Sequence, residues 1–260
     1  FICVNYNGKN DTIKWYQSIS NLQIESAVLL VVDFTNDFQS DDDRFIVLHS
    51  ENVGYFGGLN IGIKYLANSF GLFDFIVVGN NDLLFDKSIM ALSQLLKSDC
   101  YVISPRVTKS NGKEQNPHVK ERITSLRRQI HSVIYSSFFV WYFSEIIRHY
   151  LFQNGLFRRD QRLSHLESSY IYMGHGSCII LTKNYINKYG TLPQKTFLYG
   201  EEAFLRIQLN ETAKSANAWY YCPGIRVIHN EHSSTSKIAR RELYELKKKS
   251  YQIEIKELNQ

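Results

Sequence analysis

The first hundred residues alternate short apolar runs with segments whose apolar positions recur at helical spacing. The apolar runs end in polar or turn-forming residues, as strands do. Five of them predict strands, at 1–5, 27–33, 44–49, 73–82 and 101–107. Helices are predicted between them over roughly 12–22, where Asp11 is the expected cap, 59–70 and 88–96. The repeated order of strand, helix and strand predicts an α/β fold with an open, mostly parallel Rossmann-like sheet flanked by helices.

The second half of the chain has a less regular pattern. A polar connection at 108–122 precedes a long aromatic segment of helical periodicity at about 123–153. Two further apolar runs, 177–182 and 226–230, predict strands, and the chain closes with a basic amphipathic helix. These changes of pattern divide the chain into three predicted parts, at 1–107, 108–236 and 237–260.

Composition narrows the class of protein. A chain of 260 residues with 44% hydrophobic residues can bury a sizeable core. The net charge of +5 suits an anionic substrate or a membrane surface, and the basic residues are interleaved with acids, which argues against nucleic-acid binding. Three of the four cysteines lie in apolar runs and none forms a C-x-x-C pair, so we expect reduced thiols and a cytoplasmic protein.

The sequence shows no targeting segment or membrane span. It begins at Phe1, already inside an apolar run, and we expect the natural chain to start a few residues earlier. The most apolar stretch, at 133–147, is shorter and more polar than the roughly 20 apolar residues that cross a bilayer.

Polar residues follow the ends of several predicted strands. The carboxyl ends of parallel strands meet at one edge of a sheet, where α/β proteins bind ligands. Asp82 ends the strand at 73–82 and could hold a divalent cation against a phosphate, or belong to a turn and helix-cap cluster. Asp33 could accept a hydrogen bond from a nucleobase or cap a turn with Thr35. Both pairs of interpretations stay open from these segments alone.

Two later segments carry groups suited to acid–base or metal chemistry. Glu201 and Glu202 follow Gly200 at the expected start of a helix, where one of them could act as a general base or both could be ordinary helix-start residues. His229 leaves a predicted strand and could ligate a metal, with Glu231 beside it and His232 nearby, or be a hydrogen-bonded surface residue. The zinc-protease spacing HExxH is absent.

The segment NVGYFGGLNIG, at 52–62, is rich in glycine and asparagine. It is not a Walker A motif, because no G-K-[ST] follows, and it lacks the dinucleotide-binding spacing. Gly57 and Gly58 would let the backbone approach a ligand, with the start of a helix behind them to favour anions. The chain has no G-x-S-x-G elbow and no cysteine paired with a base, so hydrolase chemistry has little support.

Taken in order, six segments resemble the motifs of family 2 glycosyltransferases, and most closely the bacterial rhamnosyltransferase-like branch. The resemblance runs from Phe1 to about Ser236 and implies a GT-A fold, with a nucleotide-sugar-binding half and a smaller acceptor-binding half. The segments are VNYNG, VVDFTND, ENVGYFGGLNIGI, VVGNND, FLYGEE and VIHNEHSS.

The resemblance assigns a donor site. It implies that Asp33 contacts the base of a uridine or thymidine diphosphate sugar, with Tyr6 and Asn7 beside it. It implies that Asp82 holds Mg²⁺ or Mn²⁺ on the diphosphate, with His229 close by. In this chain Asn80 replaces the first carboxylate of the family's D-x-D-like motif. The other implied donor-site residues are Gly57, Gly58, Asn60, Asn81 and Arg206.

The resemblance also implies an inverting transfer. Glu202 matches the position of the catalytic base, where the family has Asp, and Glu201 stays an alternative. The expected acceptor is a hydroxyl of a glycan or lipid-linked molecule in surface polysaccharide synthesis. Two rivals stay open: a catalytically weakened nucleotide-sugar-binding protein and a nucleotidyltransferase.

The aromatic segment at 123–153 has three open interpretations. It could be a helix buried in the acceptor half, a dimer face, or a surface that docks on the inner face of the cell membrane, since aromatic and basic residues suit that interface.

Overall fold

The computed structural model describes residues 1–40, 42, 44–153, 166–210, 217–230 and 238–258. Glu231 and His232 lie outside the described residues. One sheet runs through the described chain, with helices on both of its faces. Its strands are β1 (Ile2–Asn5), β2 (Leu29–Asp33), β3 (Phe45–His49), β4 (Phe75–Asn80), β5 (Leu83–Phe85), β6 (Val102–Lys109), β7 (Ser169–Tyr170), β8 (Cys178–Thr182) and β9 (Trp219–His229).

The sheet order within the described residues is β3-β2-β1-β4-β8-β6-β9-β5, and β7 pairs with β9 beside this path. The strands β3, β2, β1 and β4 are parallel, as predicted for the first half. β8 joins β4 and β6 in antiparallel orientation, while β6 and β9 are parallel. Because β8 lies between β4 and β6, the two predicted halves share one sheet. The predicted α/β class is confirmed, and the domain boundaries stay a prediction.

Helices cover both faces of this sheet. Five residues of β2 are buried, which explains why its sequence is a continuous apolar run rather than an alternating one. The helices of the described residues are α1 (Lys9–Ser20), α2 (Tyr55–Phe70), a 3₁₀ helix (Lys87–Leu95), α3 (Ser125–Ile134), α4 (Phe138–Gln153), α5 (Lys183–Tyr189), α6 (Glu201–Asn210) and α7 (Arg240–Leu258). Apolar residues of α2, α5 and α6 pack on one face of the sheet, and those of α1 and the 3₁₀ helix pack on the other.

Several predicted helices differ from the observed ones. α1 begins three residues before the predicted start at Thr12, and Asp11 lies in its first turn without capping it. The segment 88–96 forms a 3₁₀ helix instead of an α-helix, and Asp86 caps it by accepting a hydrogen bond from the Ser88 N–H. The aromatic segment forms two helices, α3 and α4, instead of one.

The aromatic segment is neither fully buried nor fully exposed. Trp141 is buried against Tyr244 of α7, whose hydroxyl donates to the Tyr135 carbonyl. Leu126 of α3 and Phe139 of α4 stay exposed. Among the described residues no helix combines the length and apolar character that a bilayer crossing requires. All four cysteines are buried and free, as predicted.

Candidate active site

A cavity of about 810 Å³ lies at the carboxyl edge of the parallel strands and is lined by many polar groups. Asn5 at the end of β1 pairs in register with Asp33 at the end of β2, and Val4 pairs with Asn80 of β4. The predicted convergence of these strand ends is therefore observed. The side chains that matter for chemistry in the cavity lining are Asp82, His175, Glu201, Glu202 and His229.

Asp82 and His229 form a close pair in this cavity. Asp82 Oδ1 lies 3.1 Å from His229 Nε2, and both side chains are buried. The opposite ring nitrogen, Nδ1, lies 2.7 Å from Gln115 Oε1, so it carries the proton and donates. Nε2 then holds a lone pair, to which the Asn80 amide donates at 3.2 Å. Asp82 Oδ1 makes no hydrogen bond within the described residues, because the facing His229 nitrogen has no proton to donate.

This arrangement fits a divalent cation. Two lone-pair donors that face each other at 3.1 Å match neighbouring ligands of an octahedral shell, which lie about 3 Å apart for bonds of about 2.1 Å. No group of three His, Cys, Asp or Glu side chains suited to a metal occurs among the described residues. Asp82 and His229 would therefore hold such an ion together with oxygen atoms from a ligand or water.

The two glutamates at the start of α6 differ in environment. Glu202 lines the cavity and accepts the Gly176 N–H through Oε1 at 2.7 Å. Glu201 is buried, and burial, followed by the charge of Glu202, raises the pKa of its carboxyl to about 8. Glu201 is therefore protonated at neutral pH. Two carboxyls with such different environments can take different roles in acid–base chemistry.

His175 lines the same cavity and was missed by the sequence analysis. The Ser177 N–H donates to His175 Nδ1 at 3.2 Å, so the ring proton lies on Nε2. Burial lowers the pKa of His175 to about 4, against the opposing effect of Glu202, and the ring is neutral near pH 7. The signal in the sequence is a histidine between two glycines directly before an apolar run, in GHGSCIILT.

No family model matches the chain. A curated relative is the low-salt glycan biosynthesis hexosyltransferase Agl10 of Haloferax volcanii, which is 25% identical over 238 residues. The alignment covers 88% of this chain and 66% of that protein, so the chain spans less than two thirds of the relative's length.

Three solved structures have a similar fold. S. aureus TarS in complex with UDP-GlcNAc matches with a TM-score of 0.52 and 11% identity, over 92% of this chain and 60% of that one. GalNAc-T7 with UDP, GalNAc and Mn²⁺ matches with a TM-score of 0.55 and 10% identity, over 90% and 43%. The mannosyltransferase PcManGT of Pyrobaculum calidifontis, with GDP-Man and Mn²⁺, matches with a TM-score of 0.51 and 12% identity, over 92% and 59%.

The chain has the GT-A fold. This confirms the predicted fold class and supports the resemblance to glycosyltransferases drawn from the sequence. The rhamnosyltransferase-like branch stays a prediction.

Asp33 is held by its own loop at the end of β2, and its expected contact with a nucleobase stays a prediction. Its carboxylate is fully buried and accepts hydrogen bonds from Asn5 Nδ2 at 2.8 Å, from the Thr35 N–H at 3.0 Å and from the Phe38 N–H at 3.1 Å. Burial raises its pKa, but these hydrogen bonds outweigh burial and leave the pKa below its ordinary value. Asp33 therefore fixes the loop that follows β2 and does not line the described cavity.

The glycine-rich segment is the first turns of α2 instead of an open loop. A Cβ on Gly58 would lie 2.8 Å from Val4 Cγ2, and one on Gly57 would lie 2.6 Å from the Gln194 amide, so both glycines permit close packing inside the protein. Asn60 is buried, and its amide donates to the Leu192 carbonyl at 2.9 Å and accepts the Leu192 N–H at 2.8 Å. None of these three residues is among the described lining residues of the cavity.

The remaining predicted donor-site residues take different positions. Tyr6 is exposed and lines the cavity, and Asn7 follows it with a positive φ of 56°. Asn81 also lines the cavity, while its amide donates to Thr12 Oγ1 at 2.8 Å and links β4 to α1. Arg206 is buried with its guanidinium 4.7 Å from the centre of the Tyr172 ring, and it is not among the described lining residues.

Proposed function

We propose that the chain is a family 2, inverting glycosyltransferase that moves a sugar from a uridine or thymidine diphosphate donor to an acceptor hydroxyl. The observation that carries the proposal is the presence in one cavity of the Asp82–His229 pair and the Glu202 carboxylate. A metal-binding pair and a separate base suit transfer from a nucleotide sugar, because the metal stabilises the departing diphosphate and the base activates the acceptor hydroxyl. The similar structures with UDP-GlcNAc and GDP-Man support a nucleotide-sugar donor.

The chemistry follows from the positions of these groups. Glu202 takes the proton of the acceptor hydroxyl, and the acceptor oxygen forms a bond to the anomeric carbon. The bond from that carbon to the diphosphate oxygen breaks, and its electron pair leaves with the nucleoside diphosphate. Attack from the face opposite the leaving group inverts the carbon and needs no covalent enzyme intermediate.

The neighbouring residues prepare the site for this step. Asp82 and His229 would hold Mg²⁺ or Mn²⁺, which when bound neutralises negative charge on the departing diphosphate. Glu201 stays protonated at neutral pH and adds no second negative charge beside the base. Tyr6 is exposed at the cavity and can stack on the nucleobase. The proposed setting is surface polysaccharide synthesis in the cytoplasm, at the inner face of the cell membrane.

The test combines donor binding with transfer. Binding of UDP, dTDP and GDP is measured by calorimetry with and without Mn²⁺, and the release of nucleoside diphosphate is followed with the corresponding sugars and a glycan acceptor mixture. We expect Glu202→Gln to abolish release while its affinity for UDP and Mn²⁺ matches that of the original chain. Glu245→Gln, on an exposed position of α7, is the matched control and keeps full activity. Full turnover by Glu202→Gln would exclude Glu202 as the base, and lack of binding to all three nucleotides would exclude the donor site.

A further inference from the structure

A second cavity, of about 960 Å³, lies between α4, the start of α7 and the end of β6. Its lining is strongly basic, and Glu145 is the one acidic side chain among its described lining residues. Lys109 and Lys113 line it from the region of β6, Arg148 from α4 and Arg240 from α7. Arg148 Nη2 forms an ion pair with Glu145 Oε2 at 2.5 Å, and the other three cations leave the cavity with a positive potential, which favours an anion.

The basic cavity also has aromatic walls and opens onto an apolar surface. Trp141 and Tyr142 line it, and the Tyr142 hydroxyl accepts a hydrogen bond from Arg240 Nη1 at 2.8 Å. Ile146 and Tyr150 belong both to the lining and to the exposed apolar residues of α4. The exposed apolar face continues from there along the helix through Phe139, Phe143 and Ile147.

Two contacts connect this cavity to the candidate active site. Lys109 of β6 pairs in register with His229 of β9. Lys109 lines the basic cavity and His229 lines the candidate active site. The ammonium group of Lys247 lies 5.8 Å from the ring centre of Trp141 and 5.5 Å from that of Tyr199, which lines the active site.

The two cavities also lie on different sides of one helix. Residues 242 and 246 of α7 line the active site, whereas residues 240 and 243 line the basic cavity. The separation of the two cavities is therefore on the order of a helix diameter, about 10 Å.

We infer that the basic cavity binds the phosphate or diphosphate head of a lipid-linked acceptor and that the exposed face of α4 binds its hydrocarbon chain. The inference rests on the proposed function, because it gives the acceptor's anionic head a place next to the active site. An amphiphilic phosphate fits both halves of the surface: arginine and lysine bind the phosphate oxygens, and the apolar face accepts the chain. A polar sugar acceptor would use the basic cavity but would leave the apolar face of α4 in water.

Binding can be measured without any donor sugar. Farnesyl phosphate, farnesol and inorganic pyrophosphate serve as probes, with the original chain and with the double variant Arg148→Gln/Arg240→Gln. Both substituted side chains are exposed, so the fold should be retained, which a thermal melt checks. We expect farnesyl phosphate to bind the original chain, and the double variant to bind it at least about tenfold more weakly, because two charge-assisted contacts are lost.

The matched control removes the same charge elsewhere. Lys14→Gln/Lys64→Gln changes exposed residues of α1 and α2, far from the basic cavity along the chain, and should leave the affinity for farnesyl phosphate unchanged. An equal loss of affinity for farnesyl phosphate in both double variants would show a general effect of charge and would overturn the assignment of the basic cavity as the binding site. Pyrophosphate binding as tightly as farnesyl phosphate would overturn the role of the apolar face, and farnesol binding equally tightly would overturn that of the cations.

A vesicle experiment separates a lipid-linked acceptor from ordinary membrane lipid. We expect farnesyl phosphate still to bind the protein in the presence of phosphatidylglycerol vesicles. Complete displacement of farnesyl phosphate by those vesicles would show that the cavity binds the headgroup of an ordinary membrane lipid instead. The affinity for UDP with Mn²⁺ should be the same in the double variant and the original chain. Failure of UDP binding in the original chain would count against the proposed function and not against this cavity.

Discussion

The backbone N–H of Gly176 donates a hydrogen bond to Glu202 Oε1 at 2.7 Å, and this contact joins residues from distant parts of the chain. The carbonyl of the same Gly176 accepts a hydrogen bond from the Tyr55 hydroxyl at 2.9 Å. Burial raises the pKa of Tyr55 well above its ordinary value, so the hydroxyl stays a donor. One residue thus ties the start of α2 to the proposed catalytic base at the start of α6.

The substitution Gly176→Ala should misplace the base without unfolding the protein. Its Cβ would lie 2.5 Å from Glu202 Oε1 and 3.0 Å from Glu202 Cγ, so the glutamate side chain has to move. Because a shift of about 1 Å at a reacting group can cost about 100-fold in rate, we expect kcat to fall by about 10- to 100-fold. The affinity for UDP with Mn²⁺ should not change. Steady-state kinetics and calorimetry check the two expectations.

A glycine on an exposed part of β9 provides the control for this prediction. A Cβ on Gly224 meets no atom closer than Cys222 Sγ at 3.9 Å, an ordinary contact distance. Gly224→Ala should keep full turnover. Normal kcat in Gly176→Ala, with the fold intact, would show that the contact with Gly176 does not position Glu202 for catalysis.

The protonation of Glu201 makes stability depend on pH in a defined window. The pKa of its carboxyl is about 8 in the folded chain against an ordinary value of 4.5. Below pH 4.5 both folded and unfolded chains hold the proton. Between pH 4.5 and about 8 the unfolded chain loses it first, so the free energy of unfolding decreases as the pH rises through this window.

Glu201→Gln should remove this decrease in the free energy of unfolding, because glutamine does not ionise. We expect the variant to gain stability relative to the original chain between pH 5 and pH 8, on the order of a few kcal/mol at the upper end, and to gain no more above that. Thermal unfolding at several pH values measures the difference. Glu245→Gln, at an exposed site, should show no such trend. A constant difference across the range would mean that Glu201 ionises normally in the folded protein.

Asp82→Asn tests the cation site. The amide keeps the size of the side chain but loses the charge of the oxygen that faces His229 Nε2. We expect the affinity for UDP in the presence of Mn²⁺ to fall at least about tenfold, the change that 1.4 kcal/mol produces. Binding of UDP without metal should be unaffected. Asp86→Asn is the control, because Asp86 is an exposed helix cap and asparagine caps equally well. Unchanged Mn²⁺-dependent binding in Asp82→Asn would contradict a metal role.

The convergence of Asp82 with its neighbours could be predicted from sequence for a simple reason. Residues that follow parallel strands must meet at one edge of the sheet, so the positions of Asn5, Asp33 and Asp82 followed from the strand pattern alone. Glu202 and His229 could be named as candidates from their own segments, but only the resemblance to a family placed them with Asp82, because they are distant from it along the chain.

Other features of the candidate site could not be predicted from the sequence, because they depend on contacts between distant parts of the chain. His175 was missed because the charged and aromatic groups around it, Glu202 and His229 among them, come from distant parts of the chain. Gly57 and Gly58 were expected to let the backbone approach a ligand, whereas in the structure they face Gln194 and Val4. Asn52 and Gly54 of the same segment do line the cavity. The burial of Asp33 also needed the structure, because a carboxylate held by its own loop cannot be distinguished by sequence from one that faces a ligand. Its contact with a nucleobase stays a prediction.

Asn60→Ala separates a structural role from a donor-binding role. The Asn60 side chain makes two hydrogen bonds with the backbone of Leu192 inside the protein, so alanine leaves a buried N–H and a buried carbonyl without their partner. We expect the free energy of unfolding to fall by about 2–4 kcal/mol, measured by urea denaturation. Asn68→Ala, at an exposed position of the same helix, is the control and should be close to neutral. The affinity for UDP with Mn²⁺ should stay the same in the folded variant, because Asn60 is not among the described lining residues of the cavity. A large loss of nucleotide affinity with little loss of stability would instead support the predicted donor-site role of Asn60.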